Sequence, residues 1–169
     1  MIIFVIIAIL AYAFYRFYSF ERQETSQHHN SKDHNRSFII GSQFENFVRF
    51  NYYGSNYETT HVTPSHEENC IEFNDESYKP DLKLRDSNTG KEFWIECKYR
   101  SYKHNTKEYK IITENQLQRH RRIKDSPVFV ILGIGGKPNK PLYLYKIPIA
   151  KCKSVMTIGH LFNQFQINK

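Results

Sequence analysis

The sequence predicts a mixed α/β domain behind an apolar N-terminal anchor, and three observations carry that prediction. Glu92 to Tyr99 alternates strictly, with Phe93, Ile95 and Cys97 on one face and Trp94, Glu96 and Lys98 on the other. Val128 to Ile134 is a continuous apolar run, the pattern of a strand buried on both faces. Two segments with helical spacing, Ser42 to Asn51 and Thr113 to Lys124, lie before and after the first of these strands.

The remaining elements follow in order. Gly41 and Ser42 offer a helix start, Glu45 stands at the fourth position of a Ser-x-x-Glu box, and Phe44, Phe47 and Val48 share a stripe. Gly54 ends that helix, Tyr57 to Val62 alternates as a strand, and Pro64 to Asn69 breaks it. Tyr78 to Arg85 carries Leu82 and Leu84 on one face and Asp81, Lys83 and Arg85 on the other. Ser87-Asn88-Thr89-Gly90 then turns the chain into the Glu92 strand. A basic loop spans Arg100 to Lys110, and Pro127 stops the second helix. Gly135-Gly136-Lys137-Pro138 is read as a turn, with Leu142 to Ile147 as the last strand. Gly133-x-Gly135-Gly136 stands between strands, so it fits a hairpin better than a phosphate loop. The expected order is α-β-β-β-α-β-β, with no internal repeat.

The 169 residues suffice for one domain with its own core. With 24 Lys and Arg against 17 Asp and Glu, the net charge of +7 favours a polyanionic partner, nucleic acid or an anionic membrane surface. Cys70, Cys97 and Cys152 are odd in number and form no Cys-x-x-Cys pair, which argues against a disulfide framework and a structural zinc site.

Ile2 to Tyr15 is apolar and aromatic without interruption, and Phe17, Tyr18 and Phe20 follow Arg16. A spanning helix needs about 20 such residues. Arg16 can snorkel to the interface, so residues 1–20 are read as a transmembrane anchor rather than a cleaved signal, which begins with positive charge. Arg16, Arg22, Lys32 and Arg36 all follow the run, which orients the later residues toward the cytoplasm as a single-pass protein. Residues 21–37 form a polar linker whose His28, His29 and His34 read as solvated. Residues 38–150 form the domain, and 151–169 a C-terminal extension.

Period two places Glu96 and Lys98 on one strand face, about 7 Å apart. In an antiparallel hairpin the start of one strand lies beside the end of the next, so Asp81 approaches both. Two carboxylates and an ammonium converging are costly unless paired or bound to metal. They suit a hard cation, Mg²⁺ or Mn²⁺, because such ions favour carboxylate oxygens. An ordinary cross-strand ion-pair face is the plainer alternative for Glu96 and Lys98, and a turn residue for Asp81. Lys98, Arg100, Lys103, Lys107 and Lys110 interleave with Tyr99, Tyr102 and Tyr109, and Arg119, Arg121, Arg122 and Lys124 follow. Such segments fit a phosphate backbone, with lipid headgroups as the alternative.

Pro80-Asp81 followed by Glu96-Cys97-Lys98 resembles the PD-(D/E)xK pattern of the restriction-endonuclease-like superfamily. Gly41-x-x-x-Glu45 resembles the helix-one glutamate of its resolvase-like, NERD-like and Mrr-like members. Gln116-x-x-x-His120 is similar to the Q-x-x-x-Y/H element of several branches. The resemblance covers Phe38 to Pro148. It implies an αβββαβ core with a mixed central sheet flanked by helices, and a Mg²⁺-dependent nuclease acting on DNA rather than RNA, as an endonuclease rather than an exonuclease. Asp81, Glu96 and Glu45 are then metal ligands, Lys98 orients water, and Gln116 supports the site. Arg100, Lys103, Arg119, His120 and Arg122 become nucleic-acid contacts. Glu45 also reads as a capping residue, and Gln116 and His120 as surface residues. Many such nucleases act as homodimers, though no residue here specifies one. The competing expectation is a non-catalytic module of the same fold that tethers DNA to the membrane.

Overall fold

A computed structural model describes Tyr12, residues 35–64 and residues 78–167. The chain divides into two units, Met1–Ile39 and Ile40–Lys169. The segment expected to cross a membrane lies outside the described residues apart from Tyr12, as does the linker apart from residues 35–37. Among the described residues no helix is long and apolar enough to span a bilayer.

The second unit is a mixed α/β domain whose central sheet is flanked by helices. Helix α1 covers residues 35–46 and continues as a π-helix through Phe47–Tyr53. Strands β1 (Tyr57–Val62), β2 (Leu82–Asp86) and β3 (Glu92–Arg100) follow. Next come β4 (Glu108–Lys110), α2 (Glu114–Arg122), β5 (Val128–Lys137) and β6 (Lys140–Pro148). The chain closes with β7 (Val155–Thr157) and α3 (Ile158–Phe165). The main sheet has the order β1-β2-β3-β5-β6, and β4 pairs with β7 separately. Only β3 and β5 run parallel in the main sheet, because α2 carries the chain across between them. The other three pairs are antiparallel.

Each face of the sheet has its own core. Phe44 and Val48 of α1 pack with Leu82, Leu84, Ile95, Cys97, Ile131 and Leu144. On the opposite face Leu117 of α2 packs with Val130, Leu132, Ile134, Tyr145 and Ile147, joined by Cys152, Met156, Leu161 and Phe165 from the C-terminal segment. The alternation of Ile131 against Val130 and Leu132 accounts for the continuous apolar run of β5. Cys97 and Cys152 are free and buried, as small apolar side chains.

Several local expectations are corrected. Ser42 does not start α1, since the helix is already formed at residue 35. A cap stabilises by about 1 kcal/mol. Burial of the apolar stripe at Phe44 and Val48 dominates helix stability, and with the chain already helical ahead of Ser42 the capping reading of Glu45 falls. The helix then widens. Val48 and Tyr53, both buried, are five residues apart, a spacing that one π turn brings to the same side. Tyr53 packs on Tyr57 and Phe93, which fastens the helix end to β1 and β3.

Gly135 and Gly136 do not form the turn. They lie within β5 at φ 68° and 69°, and the turn falls at Pro138-Asn139. A Cβ on Gly136 would stand 2.6 Å from the Lys140 carbonyl oxygen, so glycine is needed for the hairpin's close approach. The expected basic loop contains β4, and β7 and α3 follow the strand expected to be last. Leu82, rather than Tyr78, begins β2, which leaves Asp81 at the entry to the strand.

A second glycine positions the helix. A Cβ on Gly133 would lie 2.5 Å from Cε2 of Phe44, a ring that is itself buried. We predict that Gly133→Ala destabilises the domain by about 1–3 kcal/mol through overpacking. The shift should appear as a fall in Tm of roughly 2–4 °C per kcal/mol for a chain of this size. Adding Phe44→Leu should restore part of it. An unchanged Tm in Gly133→Ala would show that α1 does not depend on this contact.

Candidate functional site

The site begins where a strand ladder opens. In the β2–β3 register Leu82 pairs with Ile95, which sets Asp81 opposite Glu96 and Pro80 opposite Cys97. Proline has no N–H to give, so regular pairing stops there. Cys97 N–H donates instead to Asp81 Oδ2 at 2.6 Å. Thr63, just past β1, fixes the same corner: its N–H donates to the Asp81 carbonyl at 2.9 Å and its hydroxyl to the Pro80 carbonyl at 2.6 Å. Nothing in the sequence motif pointed to Thr63. Its signal is only its place after a strand that pairs with β2.

Glu96 is 2 % exposed, in the middle strand of the sheet. Burying a carboxylate costs several kcal/mol unless it is paired and hydrogen-bonded. Three side chains meet that need. Lys98 Nζ lies 2.5 Å from Oε1, Gln116 Nε2 donates to Oε1 at 3.3 Å, and His120 Nε2 lies 2.9 Å from Oε2. The last two come from α2, where Gln116 has a second task. It is the third residue of a capping box, its Oε1 accepting from Thr113 while Thr113 Oγ1 accepts from Gln116 N–H. One amide side chain thus starts the helix and steadies the carboxylate.

Glu45, half-buried on α1, approaches from the other face. Burial raises its pKa, Lys98 opposes the rise, and Glu96 adds to it, so the three groups interact. Among the described residues Glu45 has no hydrogen-bond partner. Asp81 is held well above the usual carboxylate range by burial first, then by Glu96 and Glu45, against the pull of Lys98 and the Cys97 N–H. For Glu96 burial also opposes ionisation, yet Lys98 and His120 outweigh it and keep the group below its ordinary value. Burial lowers the Lys98 pKa, but Glu96 and Asp81 more than restore it. Three carboxylates share one ammonium, which leaves two negative charges uncompensated when all are ionised.

Asp81, Glu96, Lys98, Glu45 and Gln116 therefore come together, as the sequence expects. The nucleic-acid contacts divide. Lys103 and Arg122 are exposed, and Arg119 is half-buried with its guanidinium carbon 5.1 Å from the Tyr78 ring centroid. His120 is not a surface contact, since it is 1 % exposed and turned to Glu96. Arg100 is also corrected: its guanidinium donates to the carbonyls of Lys110, Tyr99 and Ile111, tying the end of β3 to the segment before α2. Trp94, on the Glu96 face, is buried and packs edge-on against His61 with Lys83 over its ring.

The donor set suits a hard divalent cation in chemistry: carboxylate oxygens, with charge in excess. Its present geometry is closed. Both oxygens of Glu96 are engaged, and among the described residues no three His, Cys, Asp or Glu side chains are arranged to hold a metal ion as they stand. Oε1 is taken by Lys98 and Gln116, so the remaining lone pair of Oε2, beside His120, is the one left for a cation unless the ammonium moves.

The raised pKa of Asp81 gives a stability prediction. A carboxyl whose pKa rises on folding stabilises the fold while protonated, and that contribution disappears as pH climbs through the raised value. Asp81→Asn keeps an oxygen for the Cys97 N–H and removes the charge. In metal-free buffer it should melt above the parent at about pH 8, by a few degrees, with the gap closing toward about pH 4. A gap that widens on acidification would refute this electrostatic account. No family model and no curated protein matches the chain, so the case for a function rests on this geometry.

Proposed function

We propose that the chain is a divalent-metal-dependent nuclease of the restriction-endonuclease-like kind, cutting phosphodiester bonds of DNA as an endonuclease, with residues 2–20 anchoring it to a membrane and the domain facing the cytoplasm. One observation carries the reading. Asp81, Glu96 and Glu45 converge with Lys98 at an opened strand ladder, three carboxyl groups to one ammonium. The order of helices and strands and the Gln116–Glu96 hydrogen bond support it.

In this reading Asp81, Glu96 and Glu45 hold the cation, Mg²⁺ or Mn²⁺. Once bound, such an ion neutralises charge at the scissile phosphate and acidifies a water. The chain's own groups do the positioning. Asp81 is fixed by Cys97 and Thr63, and Glu96 is kept ionised and aligned by His120 and Gln116. Lys98, released from Glu96, holds the attacking water and the negative charge that grows on the phosphoryl oxygens. Water oxygen bonds to phosphorus as one of its protons passes to solvent, the ester P–O bond breaks, and the leaving oxygen takes a proton from solvent.

The three partners that Glu96 already has favour a second reading, a non-catalytic module of this fold that tethers DNA to the membrane. In that case Lys98 stays paired with Glu96.

The full chain should nick plasmid or branched DNA in Mg²⁺ or Mn²⁺ and stop when the metal is chelated. Asp81→Ala and Lys98→Ala should each lose at least about 100-fold, the scale of a lost positioned catalytic group. Undiminished cutting by Asp81→Ala would remove the assignment, and DNA binding without cutting by the parent would establish the tether. Mn²⁺ titration provides a separate check. Lys98→Ala should bind the ion at least as tightly as the parent while failing to cut, because the competing ammonium is gone. Loss of ion binding in that variant would mean that Lys98 supports the ion rather than competing with it.

A further inference from the structure

Tyr78 and Arg119 stand at the rim of the site and have no part in the chemistry proposed above. Tyr78 precedes Asp81 by three residues, and its ring is 48 % exposed. Arg119 follows Gln116 by three residues and adjoins His120, so it shares the helix side whose amide and imidazole reach Glu96. Its guanidinium carbon lies 5.1 Å from the Tyr78 ring centroid, within cation–π range. Arg119 Nε is buried without a hydrogen-bond partner, and no carboxylate among the described residues pairs with the guanidinium. Among the described residues this half-buried cation has no anion, and its terminal nitrogens, which are not among the buried unpartnered atoms as Nε is, are the donors that a phosphate oxygen would engage.

We propose that Tyr78 and Arg119 form a subsite for one unpaired nucleotide, with the base stacked on Tyr78 and its phosphate held by Arg119. Every base presents a π-face, so an exposed tyrosine ring accepts any of them. Inside a duplex both faces of a base are covered by its neighbours, and such a base cannot reach the ring unless it is flipped out. The subsite therefore selects a single strand, a flap or a frayed end, and it lies next to the acidic residues rather than on a separate surface. The identity of the ligand rests on the nuclease reading. The geometry of an idle Arg119 beside an exposed ring does not.

The test uses the full chain with Ca²⁺ in place of Mg²⁺, and an oligonucleotide carrying 2-aminopurine, free or annealed in a duplex. The expected result is tighter binding of the single strand, with quenching of the fluorescent base by the tyrosine. Tyr78→Ala should weaken single-strand binding on the order of tenfold, the effect of one base–aromatic stack, and remove the quenching, whereas Tyr78→Phe should keep both. Arg119→Ala should weaken binding and reduce its salt dependence by about one phosphate contact. Melting curves show whether each variant is folded. If Tyr78→Ala is not, Tyr78→Leu against Tyr78→Phe gives the same comparison. Equal affinity for duplex and single strand, or full affinity in a folded Tyr78→Ala or Tyr78→Leu chain, overturns the proposal. The two readings fail separately. Quenching by a chain that cuts nothing leaves the subsite and removes the nuclease, whereas cutting without quenching does the reverse.

Discussion

The Glu96 carboxylate, buried in the central strand, is the constraint around which the domain is organised. An isolated charge there would cost more than most single interactions return. Its neutralisation is distributed: Lys98 from the same strand, Gln116 and His120 from α2. The distribution has structural consequences. Helix α2 cannot slide or rotate on the sheet without breaking two hydrogen bonds to a charged group, and such bonds are stronger than neutral ones. Thr113 and Gln116 fix where α2 begins, and Leu117 packs the turn between the two polar anchors. The helix is registered against β3 by polar contacts as well as by apolar area.

The same group sets the electrostatics of its neighbours. Lys98 is closest to Glu96 and only secondarily screens Asp81 and Glu45, so these two carry raised pKa values while Glu96 does not. The asymmetry follows from contact rather than from depth of burial. A folded protein retains such mutual repulsion only when its surroundings hold the groups in place, and here the corner at Pro80-Asp81 does so through Thr63 and the Cys97 N–H. Removing one acid should therefore relieve the fold even as it removes a candidate ligand, the usual opposition between stability and a charged site.

Period two in β3 made the pairing of Glu96 with Lys98 legible in the sequence, and the turn at Ser87–Gly90 made the approach of Asp81 legible as well. The structure adds a reason for the turn's strength: Asp86 Oδ1 accepts from the N–H groups of Asn88 and Thr89. Other features lay beyond local pattern. Arg100 reads as one more cation among many, because the carbonyls of Lys110 and Ile111 that occupy it are ten and eleven residues away. His120 sits among Arg119, Arg121 and Arg122, which hides its burial, although its spacing of three from Leu117 was a usable sign. The π-helical stretch disguised itself as an irregular α-helix, since Val48 and Tyr53 share a side only under the wider winding. Helix α3 did carry a local signature. Thr157 caps it by accepting from His160 N–H, and Leu161 and Phe165 follow at a spacing of four.

A sheet ordinarily separates what lies on its two faces, and this one separates two cores, with α1 on one side and α2 on the other. Glu45 belongs to the first side and Glu96 with Lys98 to the second, yet the three interact electrostatically. They can do so because β2 stops pairing at Pro80, so that among the described residues no strand pairs with β3 beside Cys97. Asp81 lies in the plane of that gap and interacts with groups from both faces. Continuing the ladder would need an N–H at position 80, and also the release of the Pro80 carbonyl from Thr63 and of the Cys97 N–H from Asp81. The proline ahead of the aspartate is thus more than a sequence marker: its missing donor, together with these two hydrogen bonds, keeps open the gap through which the two halves of the site meet.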